Sequence, residues 1–156
     1  VTEGLIYKYF KDKKDLLYQV LNAHFQAFQE KVETRIQQSS SALEKLKLII
    51  YASLEGYSEN RLFSKILLLE VRNAPAFYES DAYSMVKIYA RTILGIIEKG
   101  IESGEIQPDT DPYLLRKVIL GAIEHACLGE IIFDRELDIE TTTSGISEIV
   151  FNGVRS

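Results

Sequence analysis

The chemistry-bearing residues of this chain fall into three groups. The first lies at the start, where Tyr7, Lys8, Tyr9 and Phe10 run into Lys11, Lys13 and Lys14, so that phenols and ammonium groups alternate within a short span. Thr2 and Asp12 are residue types that favour helix N-caps. They mark two helix starts about ten residues apart, with side chains suited to phosphate oxygens between them. The formal net charge is −5, yet the first twenty residues carry +1 and the remainder −6. A basic tip on an acidic body suits a protein that docks on a polyanion by one end. A solvated charge run at a helix start would have the same composition, and charge does not separate the two.

The second group consists of polar or aromatic side chains where aliphatic ones would pack better: Tyr51, Tyr57, Arg72, Tyr89, Glu124 and His125. Such positions suit the lining of a ligand cavity. Arg72 sits in a very apolar stretch and needs a partner, because an unpaired buried charge is costly. Glu70, two residues away, lies on a different side of a helix, which leaves Glu124, the anionic head of a ligand, or solvent. His125 fits a satisfied core or interface histidine as well as an effector contact. An apolar tail burying about 300 Å² in a cavity would gain roughly 7 kcal/mol before entropic costs, enough for micromolar binding.

The third group is what catalysis or metal binding would require. The two histidines, His24 and His125, fall on different helical segments, and the single cysteine, Cys127, excludes an internal disulfide. His125 and Cys127, two residues apart on a helix, point to different faces and form neither a dyad nor a metal site. No carboxylate pair is isolated in an apolar setting that would tune it. The expectation is a protein that is not an enzyme, with no cofactor and no metal.

The elements that position these groups read as helices throughout. Leu17, Leu21, Phe25, Phe28, Val32 and Ile36 recur at helical spacing and predict one long amphipathic helix over 12–37. Ser41 and Glu44 form a Ser-x-x-Glu capping box ahead of a helix at 42–57. The run from Leu62 to Val71 is apolar nearly all round and reads as a helix in the middle of a bundle. Ser80 or Asp81 caps a helix with the inner stripe Val86, Tyr89, Ile93, Ile97 and Ile101, closed by Gly104. Asp111-Pro112 opens another that runs to about Phe133. A last helix, about 138–154, presents Ile139, Ile146, Ile149, Val150 and Gly153. Small residues at Gly121, Ala122, Ala126 and Gly129 line one side of the penultimate helix. Either a second subunit approaches there, pairing with Ile146, Ile149, Val150 and Gly153 in a homodimer interface, or these residues pack within one subunit. The fold class is all-α, a helical bundle, and a chain of 156 residues can bury roughly 70% of its unfolded surface. No apolar run reaches the roughly 20 residues that cross a bilayer, so no membrane association is expected and the location expected is cytoplasmic.

Val1, Thr2, Gly4, Ile6, Tyr7, Tyr9, Phe10, Lys13, Asp15 and Leu16 together resemble the signature of the TetR/AcrR family of one-component bacterial transcriptional regulators. Leu5 stands where that signature commonly has Thr, and Lys14 where it has an acid. The resemblance implies a ligand-responsive regulator, in family terms a repressor, that binds operator DNA as a homodimer. It divides the chain into 1–14, a remnant of the helix-turn-helix, and 15–156, the effector-binding and dimerisation domain. Thr2, Tyr7 and Lys13 would hold phosphates, Glu3, Leu5 and Lys8 would face base edges, and Tyr9 could do either. A helix-turn-helix also needs a first helix across the DNA backbone. Relative to the family, Val1 falls mid-domain, so the chain as it stands is expected not to bind operator DNA. Leu69, Glu70, Val71, Arg72 and Asn73 are similar to the branch that senses fatty acids or acyl thioesters. The rival reading is a helical dimerisation or adaptor module with no small-molecule ligand, which a melting-temperature screen against small molecules would separate from a sensor.

Overall fold

Asp12 starts the first helix: its Oδ1 accepts the backbone N–H of Asp15 at 2.8 Å, satisfying a donor that a helix N-terminus leaves open. A computed structural model of the chain describes residues 12–154 and 156, and in it helix α1 spans Lys13–Ile36. The DNA-contact candidates Thr2, Glu3, Leu5, Tyr7, Lys8 and Tyr9 lie outside the described residues, while Lys13 is exposed in the first turn of α1.

Helix α2 spans Ala42–Glu59. Ser41 Oγ accepts the Glu44 N–H at 3.3 Å, the forward half of the expected capping box. The return half is replaced. Ser41 N–H donates to Ser39 Oγ, and the Glu105 carboxylate accepts from the Ser41 hydroxyl at 2.7 Å and from the Ala42 and Leu43 N–H groups at 2.9 and 3.3 Å. A stronger acceptor brought from another part of the chain satisfies two open donors at once.

The apolar run that follows is not one buried helix. Helix α3, Arg61–Lys65, passes into a π turn at Ile66–Glu70 and two 3₁₀ turns at Val71–Asn73 and Pro75–Glu79. Leu62 and Leu69 are 70% and 43% exposed, whereas Ser64, Val71 and Phe77 are buried. The π turn closes its hydrogen bonds over one residue more than an α-helix and rotates the side chains that follow, so that Leu69 faces outward while Val71 and Phe77 turn to the interior.

Helix α4, Asp81–Ser103, is capped by Ser80 Oγ, which accepts the Tyr83 N–H at 3.2 Å. It ends at Gly104 in the left-handed region, φ +82°, where a glycine has no side-chain penalty. Helix α5, Pro112–Ile132, begins on Asp111, whose Oδ1 accepts the Tyr113 and Leu114 N–H groups. Helix α6 spans Ile139–Val154. No strand occurs among the described residues.

Helix α2 is central and touches α1, α4, α5 and α6, while α1 lies along α4. Val32, Leu46, Ile49, Ile50, Leu54, Ile93, Ile97 and Ile119 are fully buried in the main core. A second cluster forms around Leu21, Val71, Phe77 and Ala82. At Gly100 a Cβ would come within 2.8 Å of Ala42 Cβ and 2.7 Å of Ile106 Cδ1, so the close seating of α4 on the start of α2 requires a glycine there. On α6 the buried residues are Thr143, Ser147 and Phe151. Ile139, Ile146 and Val150 lean on the core from beside them, and Ile149 is turned outward, 79% exposed.

A candidate effector cavity

Between the two clusters lies a cavity of about 280 Å³. Helix α1 contributes His24, Phe25, Phe28 and Gln29, and α2 contributes Ser53, Gly56 and Tyr57. Phe63, Ser64, Leu67 and Arg72 come from the irregular segment, Val86, Tyr89 and Ala90 from α4, and Leu120, Ile123 and Glu124 from α5. A largely apolar and aromatic enclosure with a few convergent polar groups is the usual build of a small-molecule site.

Of the six ligand candidates, four line the cavity: Tyr57, Arg72, Tyr89 and Glu124. Tyr51 does not. It turns to the other side of α2, where the Arg35 guanidinium stands 5.7 Å from its ring centroid. His125 is also absent from the lining and is exposed, because it sits one residue beyond Glu124 and a helix turns by about 100° per residue.

Arg72 and Glu124 pair across the rim, Nη2 to Oε1 at 2.6 Å, with side chains 44% and 32% exposed. Of the three alternatives left open for Arg72, the structure shows the pair with Glu124, at the surface rather than in the core. Tyr78 Oη donates to the Arg72 carbonyl at 2.8 Å, tying the two 3₁₀ turns together beside the pair. Within the cavity no group need carry charge at neutral pH. Burial holds the His24 imidazole below its ordinary pKa and therefore neutral, and the ring stacks on Phe63 with centroids 5.2 Å apart. Burial pushes the Tyr89 hydroxyl up to about 12 and raises Tyr57 as well.

The inner end is polar. Ser53 Oγ donates to the Ile49 carbonyl at 2.7 Å and lies 2.6 Å from Tyr89 Oη. Gln29 is 5% exposed; its Nε2 donates to Glu33 Oε1 at 2.9 Å and to Thr92 Oγ1 at 3.0 Å, and its Oε1 has no hydrogen-bond partner among the described residues. Sequence reasoning did not single out His24, Gln29 or Ser53. Phe25 and Phe28 were read as core stripe. A glutamine in register with Leu21, Phe25 and Val32 was the available signal.

The dimer candidates divide. Ala126, Ile146 and Val150 pack against the subunit's own core, Ala122 is half-buried, and a Cβ at Gly129 would meet Arg135 Nη2 at 3.3 Å. Gly121, Ile149 and Gly153 are exposed. They share the outer faces of α5 and α6 with Leu114, Val118 and Ile132, which are 57%, 46% and 43% exposed.

A helical bundle that encloses a largely aromatic cavity, with its Arg72–Glu124 ion pair at the rim, has the build of a ligand-binding domain. Residues 17–153 match the family described as YsiA-like protein, C-terminal region, and the chain belongs to the TetR family of transcriptional regulators. It is 28% identical over 156 residues to the fatty acid metabolism regulator protein of Bacillus subtilis (strain 168), covering 100% of this chain and 80% of that protein. The crystal structure of the transcriptional regulator FadR from Bacillus subtilis in complex with stearoyl-CoA superposes with a TM-score of 0.88 at 28% identity, covering 99% of this chain and 83% of that one. The fatty acid degradation regulator FadR from Bacillus halodurans shares the fold, with a TM-score of 0.87 at 20% identity over 98% of this chain and 79% of that one. The chain is thus related to fatty-acid regulators, and its relatives are regulators of transcription rather than enzymes. No helix among the described residues is long and apolar enough to cross a membrane, and none of their His, Cys, Asp and Glu side chains group as a metal site would need.

Proposed function

We propose that this chain is the effector-binding and dimerisation part of a repressor that holds operator DNA as a homodimer and lets go when an acyl thioester fills the cavity. The observation that carries this reading is the cavity itself, apolar within and bounded at its rim by Arg72, whose only charged partner among the described residues is the half-exposed Glu124. An acyl chain takes the interior, and its anionic head competes with Glu124 for the guanidinium. The relative crystallised with stearoyl-CoA supports this choice of effector class.

Release follows from the geometry of α1. Phe25, Phe28 and Gln29 line the cavity, and the same helix runs unbroken to Lys13, about 22 Å from Phe28 at 1.5 Å per residue. A chain lodged against Phe25 and Phe28 favours a shifted position of α1, which changes the separation of the two DNA-binding ends in the dimer. The second subunit docks on the exposed faces of α5 and α6, around Gly121, Ile149 and Gly153. Fluorescence anisotropy of the full-length regulator on its own promoter fragment, titrated with stearoyl-CoA, tests the proposal. Concentration-dependent release is expected, and DNA affinity that is indifferent to saturating thioester would refute it.

A further inference from the structure

The inner end of the cavity presents only acceptors. Thr92 Oγ1 gives its own proton to the Ile88 carbonyl at 3.0 Å, so toward Gln29 it can only accept, as can the Glu33 carboxylate. The Gln29 amide nitrogen must therefore face both of them. That orientation leaves Oε1, in a cavity-lining residue, buried with no donor among the described residues. Ser53 likewise spends its proton on the Ile49 carbonyl, so in the 2.6 Å contact Tyr89 is the donor. The remaining lone pairs of Tyr89 Oη are then unmatched. Gln29, Ser53 and Tyr89 all line this cavity, and Tyr89 and Thr92, the Gln29 partner, are three residues apart on one face of α4.

We infer that this end of the cavity binds a hydroxyl group, so that the effector is an apolar chain carrying a hydroxyl remote from Arg72. The inference rests on the apolar effector proposed above and narrows its class. A bare methyl terminus would leave the already buried Gln29 Oε1 without a donor, and a buried unsatisfied acceptor is costly. A carbonyl or ether oxygen in the same place adds a further acceptor. A hydroxyl supplies the missing proton, and its own oxygen remains free for water or for a neighbouring donor.

Two probe pairs test this on the wild-type protein, by calorimetry and thermal shift. The first compares 12-hydroxydodecanoyl-CoA with dodecanoyl-CoA; the second compares octan-1-ol with its methyl ether, which keeps the oxygen and loses the donor. The hydroxylated thioester is expected to bind about tenfold more tightly than the plain one, and octanol to raise the melting temperature more than the ether. Both preferences should disappear in Gln29→Met, which keeps the volume and removes the acceptor. If that variant fails to fold, Tyr89→Phe serves and should weaken both preferences. Equal binding within each pair by the wild type, or a preference that survives loss of Gln29 Oε1, would overturn the inference. If the thioesters bind without discrimination, the acyl reading stands and the hydroxyl pole falls. If no thioester binds while octanol retains a Gln29-dependent advantage over its ether, the pole stands and the thioester reading falls.

Discussion

Replacing Ile149 by Asp is the sharpest probe of the proposed dimer. In the single chain Ile149 is 79% exposed, and pairing of the outer faces of α5 and α6 would bury it. Fully burying an isoleucine side chain contributes about 2 kcal/mol, so roughly four-fifths of that, about 1.5 kcal/mol, is gained per copy. Symmetry doubles the effect to about 3 kcal/mol, because an isologous interface contains the residue twice. Losing that much weakens the dimer by about a hundredfold, and two carboxylates pressed into an apolar contact weaken it further. Sedimentation velocity over a dilution series reads the dissociation constant directly. Thermal melting adds an independent sign: the wild-type midpoint should rise with protein concentration and that of Ile149→Asp should not. Ile146→Asp, one turn away but packed on the subunit's own core, should instead unfold the chain. A dissociation constant within tenfold of wild type for Ile149→Asp, or a wild-type protein that sediments as a monomer, would refute the assignment of this face.

Other substitutions have opposite expected signs. Glu124→Gln should tighten binding of an acyl thioester by freeing Arg72, and Arg72→Gln should loosen it; both should alter stability by less than about 1 kcal/mol, since the pair is half-exposed, with calorimetry and melting reading the two quantities. The Glu105 carboxyl is held below its ordinary range chiefly by the Ala42 N–H and the Ser41 hydroxyl. It therefore contributes stability that is fully present above the unfolded carboxyl pKa and is lost as pH falls through the lowered folded value. Glu105→Gln should lower the melting temperature at neutral pH and flatten its decline in acid; an unchanged acid limb would argue against the cap. Gly100→Ala should cost about 1–3 kcal/mol in chemical denaturation, because its Cβ would overlap Ala42 Cβ and Ile106 Cδ1.

Local patterning was sufficient wherever one stretch of chain settles its own structure. Asp12, Ser41, Ser80 and Asp111 each accept a backbone N–H at a helix start, and Gly104 closes α4 in the left-handed region. Caps and turns act over a few residues, so these helix ends and the all-α class were legible in residue order alone. The signature from Val1 to Leu16 likewise pointed to the TetR family that residues 17–153 match. Four of six cavity candidates were found by asking which polar groups interrupt an apolar stripe. Tyr51 and His125 fall outside the lining because that question does not say which way the stripe faces. Rotational setting, the distant partner of a helix end such as Glu105, and the π turn at Ile66–Glu70 that leaves Leu69 outside while Val71 turns in all depend on contacts between segments far apart in the chain. Packing also decided which small residues stay outside: Gly121 and Gly153 remain free while Ala126 is used internally. The same contacts turn Gln29 inward and leave its oxygen without a donor among the described residues, a property of mutual orientation that residue order does not contain.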